Sequence, residues 1–118
     1  MSEERDLYDF VEDIMLSADE AILFVEGMTF DEFRNDKKTI NAVVRSLEVI
    51  GEATKHLPAS FRNEHSDVPW RQLAGMRDRL IHGYFGVDLE IVWDTVQQML
   101  PQLLVVTNKI LNTIEQGD

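Results

Sequence analysis

The sequence predicts an all-α protein, an antiparallel four-helix-type bundle with short extra helical turns and a kinked C-terminal helix. Three observations carry this prediction. Apolar residues recur at steps of three and four over several long segments, the spacing that lines one face of an α-helix. Capping residues and glycine or proline punctuate those segments where helices start and stop. No stretch alternates apolar and polar residues around a tight turn, so a β-hairpin has no support. The 118 residues suit one domain spanning 1–118.

The first helix is expected from about Arg5 to Val25, with Leu7, Phe10, Val11, Ile14, Ala18, Ile22 and Val25 as its stripe and Gly27 as its stop. Its other side carries Asp9, Glu12, Asp13, Asp19 and Glu20, read as a solvated acidic face. Thr29-Phe30-Asp31-Glu32 has the form of a capping box and predicts one short turn. A longer helix follows from about Lys37 to His56. Gly51 inside it costs about 1 kcal/mol relative to alanine, which predicts the close approach of another helix. Glu48 and Glu52 share one face there, as solvated glutamates or as a base or metal pair. Pro58 opens a short helix to about Asn63, and a loop follows over 64–68. Pro69 starts the next helix, with Ser66 or Asp67 as possible caps and Gly83 as its stop. Asp88 caps a last helix from about Leu89 to Glu115, kinked where Pro101 removes an amide and clashes with the carbonyl four residues back.

Composition narrows the function. The apolar share is 44%, no run approaches a membrane span, and the acidic start is the wrong sign for a signal peptide. There is no cysteine, hence no disulfide or thiolate metal site, in keeping with a cytoplasmic protein. The histidines have no metal-ligand spacing, so no metal and no cofactor are expected. The net charge of −11 argues against broad binding to nucleic acid, but it is unevenly spread. Residues 1–33 carry 11 acidic and 1 basic side chain, a net of −10. Residues 34–82 carry 9 basic and 6 acidic, a net of +3, and 83–118 carry 1 basic and 5 acidic, a net of −4. The middle third is where a polyanion could bind.

That third ends in Arg77-Asp78-Arg79-Leu80-Ile81-His82-Gly83-Tyr84, the densest concentration of titratable chemistry in the chain. Arg77 and His82 lie about 140° apart on an ideal helix, but the frayed end beside Gly83 can turn the imidazole back. Asp78, four residues before His82, can fix its tautomer, and Arg79 adds a second cation. A fixed cation beside a general acid/base suits phosphodiester cleavage in RNA, where the 2′-OH is an internal nucleophile. The same residues are equally readable as dipole partners at a helix C-terminus, with Tyr84 as an amphipathic core edge.

The spacing Arg77-x4-His82-x-Tyr84 matches the R-x4-H-x-Y signature of HEPN-domain proteins, and residues 75–85 resemble the HepT-type branch. The likeness extends to Ile50-Gly51-Glu52-Ala53, to Val68-Pro69-Trp70 and to Asp88-Leu89-Glu90-Ile91-Val92-Trp93. This resemblance implies a helical-bundle homodimer acting as a metal-independent ribonuclease, the toxin of a type VII toxin–antitoxin pair. Its partner would be an MntA-like minimal nucleotidyltransferase antitoxin that transfers AMP from ATP to the motif tyrosine. By the same resemblance Arg77 would stabilise the phosphate, His82 would be the acid/base and Tyr84 the AMP acceptor. The alternatives are a non-catalytic HEPN module binding nucleotide or RNA, or docking a nucleotidyltransferase, and a helical interaction protein.

Overall fold

A computed structural model describes residues 3–80 and 86–116, leaving aside the side chains of Glu3, Glu4, Arg5, Arg77 and Leu80. Helix α1 (Glu3–Phe24) ends at Gly27, whose φ of +79° is the left-handed conformation that stops a helix. The short α2 (Phe30–Arg34) begins with the expected capping box. The Glu32 amide donates to the Thr29 hydroxyl (3.2 Å), and the Thr29 amide donates to the Glu32 carboxylate (2.9 Å). In α3 (Lys37–Lys55) the Asp36 carboxylate caps the first turn by accepting from the Thr39 amide at 3.1 Å, a bond that lowers its pKa. Next come α4 (Ala59–Glu64), α5 (Trp70–Ala74), α6 (Met76–Leu80) and α7 (Leu89–Asp94). A π-helical stretch, Thr95–Met99, joins α7 to α8 (Leu100–Gln116). The described residues are helical with connecting turns, the all-α bundle expected from the apolar spacing.

Helix α1 is the centre, packed against both α3 and α8. Phe10, near its start, stacks on His56 at the end of α3, with centroids 4.8 Å apart. Tyr8 donates to Glu115, near the end of α8, at 2.7 Å, and that carboxylate pushes the phenol pKa up to about 12. Both long neighbours therefore run antiparallel to α1. Val11, Ile14, Ala18 and Ala21 of α1 are fully buried against Val43, Leu47 and Ile50 of α3 and Leu100 of α8, in one core. Phe33 pins α2 to this core, fully buried and 5.3 Å from the Trp93 ring. Phe33→Ala leaves a ring-sized cavity there, with an expected loss of about 3–5 kcal/mol measurable by urea unfolding.

Three details differ from expectation. The helix opened by Pro69 divides at Gly75 into α5 and α6. The Gly75 amide donates to both Arg71 and Leu73 carbonyls, a tightening that ends α5 before the Arg79 amide restarts the ladder on Gly75. Neither Ser66 nor Asp67 caps α5. Pro69 itself holds the cap position without a side-chain bond, and the Trp70 indole closes the turn by donating to the His65 carbonyl at 2.9 Å. The irregularity due to Pro101 takes the form of the π stretch just before it. There the Leu100 amide reaches five residues back to Thr95, which widens the turn that the proline ring must pass.

Candidate active site

The site is built on α5 and α6, and their position is set by one glycine. A Cβ on Gly51 would lie 3.0 Å from the Leu73 carbonyl oxygen and 3.6 Å from Met76 Cβ, so hydrogen alone lets α3 meet this pair of helices so closely. Trp70, Leu73 and Met76 fill the contact, the last two completely buried. Arg62, from α4, seals the end of α3 by donating to the Leu57 and Thr54 carbonyls, both at 3.1 Å. The cation thereby meets the negative end of the helix dipole.

Met76 is turned into the core, and the α6 positions two and three residues on leave the buried side. Asp78 and Arg79 are exposed, and neither makes a side-chain hydrogen bond or ion pair within the described residues. Arg77 occupies the second position of α6 by its backbone. His82 and Tyr84, like the expected stop at Gly83, lie outside the described residues, as does any bond between Asp78 and His82. The chain is described again from Gly86 (φ +90°) to Asp88, whose carboxylate caps α7 by accepting from the Ile91 amide at 3.2 Å. Helix α6 packs against α7.

Two of the concavities formed by the described residues carry polar side chains that bear on the sequence reading. A groove of about 350 Å³ between α1 and α3 is lined by Phe10, Asp13, Arg45, Glu48, Glu52 and His56. The Glu48 and Glu52 of the sequence reading thus face a groove, and Glu52 Oε2 lies 3.5 Å from His56 Nε2. A second cleft, of about 260 Å³, lies between α5 and α6 on one side and, on the other, the α7 arm, that is α7 with the π stretch that follows it. Gln72, Arg79, Asp94 and Gln98 face it. No sequence pattern singled out Gln72, Asp94 or Gln98, because each sits at an ordinary solvated position of its own helix. Among the described residues no group of three or more His, Asp or Glu side chains is placed to hold a metal ion. No described helix is long and apolar enough to cross a membrane.

Comparison with known proteins bears on this scaffold directly. A protein of Methanocaldococcus jannaschii, provisionally named an RNase, is 47% identical over 98% of this chain and 95% of its own length. One from Caldanaerobacter subterraneus, also provisionally named an RNase, is 46% identical over 86% of this chain and 91% of its own. A protein of Thermococcus cleftensis named probable ribonuclease HepT is 45% identical over 85% of this chain and 91% of its own. No solved structure matches the chain significantly. Residues 7–110 match the family described as ribonuclease HepT-like, and the chain belongs to that family.

Proposed function

We propose that this protein is a metal-independent endoribonuclease, using Arg77 and His82 on an RNA phosphodiester. The observation that carries the reading is the Arg77-x4-His82-x-Tyr84 spacing in a chain of the ribonuclease HepT-like family. His82 takes the proton of a ribose 2′-OH as the 2′-oxygen attacks the adjacent phosphorus. The bond to the 5′-oxygen breaks, that oxygen takes a proton from solvent or from the imidazolium just formed, and a 2′,3′-cyclic phosphate remains. Arg77 holds the phosphate oxygens as negative charge builds on them. Asp78 orients the imidazole and Arg79 adds positive charge. The test is cleavage of RNA in excess chelator by wild type and by His82→Ala. Intact RNA with the wild type, or equal cleavage by both, overturns the reading.

The same reading makes the protein a cytoplasmic homodimeric toxin restrained by an MntA-like nucleotidyltransferase antitoxin. Pairing two copies brings their basic middle thirds to one cleft, which reconciles RNA as substrate with a net charge of −11. In the restraining step the Tyr84 phenol oxygen attacks the α-phosphorus of ATP, pyrophosphate leaves, and the phenol proton passes to solvent or a base. The new phosphodiester sets an anion two residues from His82, where it competes for Arg77. Incubation with the nucleotidyltransferase and ATP is expected to add about 329 Da per AMP by mass spectrometry, and Tyr84→Phe to abolish the gain. Undiminished labelling of the Phe variant removes Tyr84 from this role.

A further inference from the structure

We infer that the cleft between α6 and the α7 arm is a base-recognition subsite for single-stranded RNA, selecting a nucleobase that carries an exocyclic amino group. The inference rests on the ribonuclease reading and adds a specificity pocket to it. The cleft, about 260 Å³, is lined by Gln72, Arg79, Ile91, Asp94, Gln98 and Met99. Its polar members are unspent. Among the described residues Gln72, Arg79, Asp94 and Gln98 make no side-chain hydrogen bond, and no ion pair joins Arg79 to Asp94. Thr95, also on the wall, is already engaged, its hydroxyl donating to the Ile91 carbonyl at 2.7 Å.

These groups divide by chemistry into the parts of a nucleotide. Arg79 offers the planar fork that suits a phosphate. It follows Arg77 by two residues on α6, about 3 Å further along the axis and about 200° round it. The two positions therefore differ on α6, and the Arg79 side chain faces the cleft. Ile91 and Met99 give apolar, polarisable contact for the face of a base. The Asp94 carboxylate offers acceptor oxygens, whereas the Gln72 and Gln98 amides both donate and accept. Adenine, cytosine and guanine can each present an amino group to Asp94, as in the known pairing of acidic side chains with the cytosine amino group. Uracil has no amino group and offers only its single N3–H, set between two carbonyl oxygens that the carboxylate repels. Unpaired RNA bases are read on such edges, which double-stranded RNA conceals.

Two measurements test this. RNAs differing only in the base beside the cleaved phosphate are expected to show about a tenfold or greater preference in kcat/KM for amino-bearing bases over uracil, and Asp94→Asn to reduce it below about threefold. Equal cleavage of all four RNAs by the wild type, or a preference untouched in Asp94→Asn, overturns the subsite, while loss of cleavage in His82→Ala leaves the ribonuclease reading standing. If the wild type cuts no RNA, that reading fails on its own, and binding decides the subsite. In ¹⁵N spectra the Gln72 and Gln98 side-chain amides are then expected to shift on titration with AMP or CMP and to stay in place with UMP. Amides that ignore all three nucleotides, or respond equally to them, overturn it.

Discussion

His82→Ala is expected to lower the rate of chelator-resistant RNA cleavage by about 10²–10⁴-fold, the usual contribution of a positioned general acid/base. The loss belongs in kcat more than in KM, because the imidazole acts on a proton in flight and the phosphate contacts stay in place. Arg77→Lys keeps the charge and loses the fork, so it should fall between wild type and Arg77→Ala. If His82 is the base, the wild-type rate falls at acid pH as the imidazole is protonated, and His82→Ala flattens that limb. Single-turnover rates on one short RNA across pH measure all of this. A variant that loses activity while keeping the wild-type pH profile would remove His82 from proton transfer.

Gly51→Val is expected to destabilise the fold by about 2–3 kcal/mol, roughly 10 °C in Tm, although valine is the better helix former of the two. Its Cβ would stand 3.0 Å from a backbone oxygen, that of Leu73, which cannot swing aside as a side-chain tip could. Helices α5 and α6 must then move away from α3, carrying Arg77 with them. Cleavage should therefore fall at temperatures where the variant is still folded, since displacements near 1 Å at a reacting centre cost as much as 10²-fold. Gly75→Ala is the matched control. Its new Cβ meets the Arg71 carbonyl oxygen at 3.5 Å, an ordinary contact, and Tm should change little. Calorimetry of the two variants, with circular dichroism to confirm helicity, decides the matter. If Gly51→Val melts with the wild type, the close approach of the helices is not what fixes the site.

Gly51 was legible in the sequence because it breaks a local rule, a glycine inside a strong helical stripe, and such violations need a tertiary reason. The capping box at Thr29 and the caps at Asp36 and Asp88 involve contacts three residues apart, and the caps expected at Thr29 and Asp88 form. The break at Gly75 was hidden, since Trp70, Leu73, Met76 and Leu80 keep helical spacing across it. Pro101 announced an irregularity, but its form depends on how the chain upstream relaxes, and that is settled by packing on α1. The same division holds for the site. Arg77, His82 and Tyr84 are proposed from spacing along the chain, whereas Gln72 on α5 meets Asp94 and Gln98 only through tertiary packing.

The π stretch before Pro101 also constrains how this chain can vary in length. A π turn is in effect a helix holding one surplus residue, so residues 95–99 advance the chain about as far round the axis as four α-helical residues would, and α7 and α8 keep one shared face. Val92 and Val96 reach the core before it, and Leu100, Leu103 and Ile110 reach it after. Removing one of residues 95–99 can close the bulge into unbroken α-helix and leave α8 with the same face toward α1, whereas removing one residue from the regular part of α8 turns everything after it by about 100°. A deletion within α8 before Thr107 would turn that residue, now fully buried with its hydroxyl donating to the Leu103 carbonyl, outward and bring a new set of side chains against α1. A single-codon deletion is therefore better tolerated in the π stretch than in the first turns of α8. Length variation along this arm should accordingly concentrate at residues 95–99.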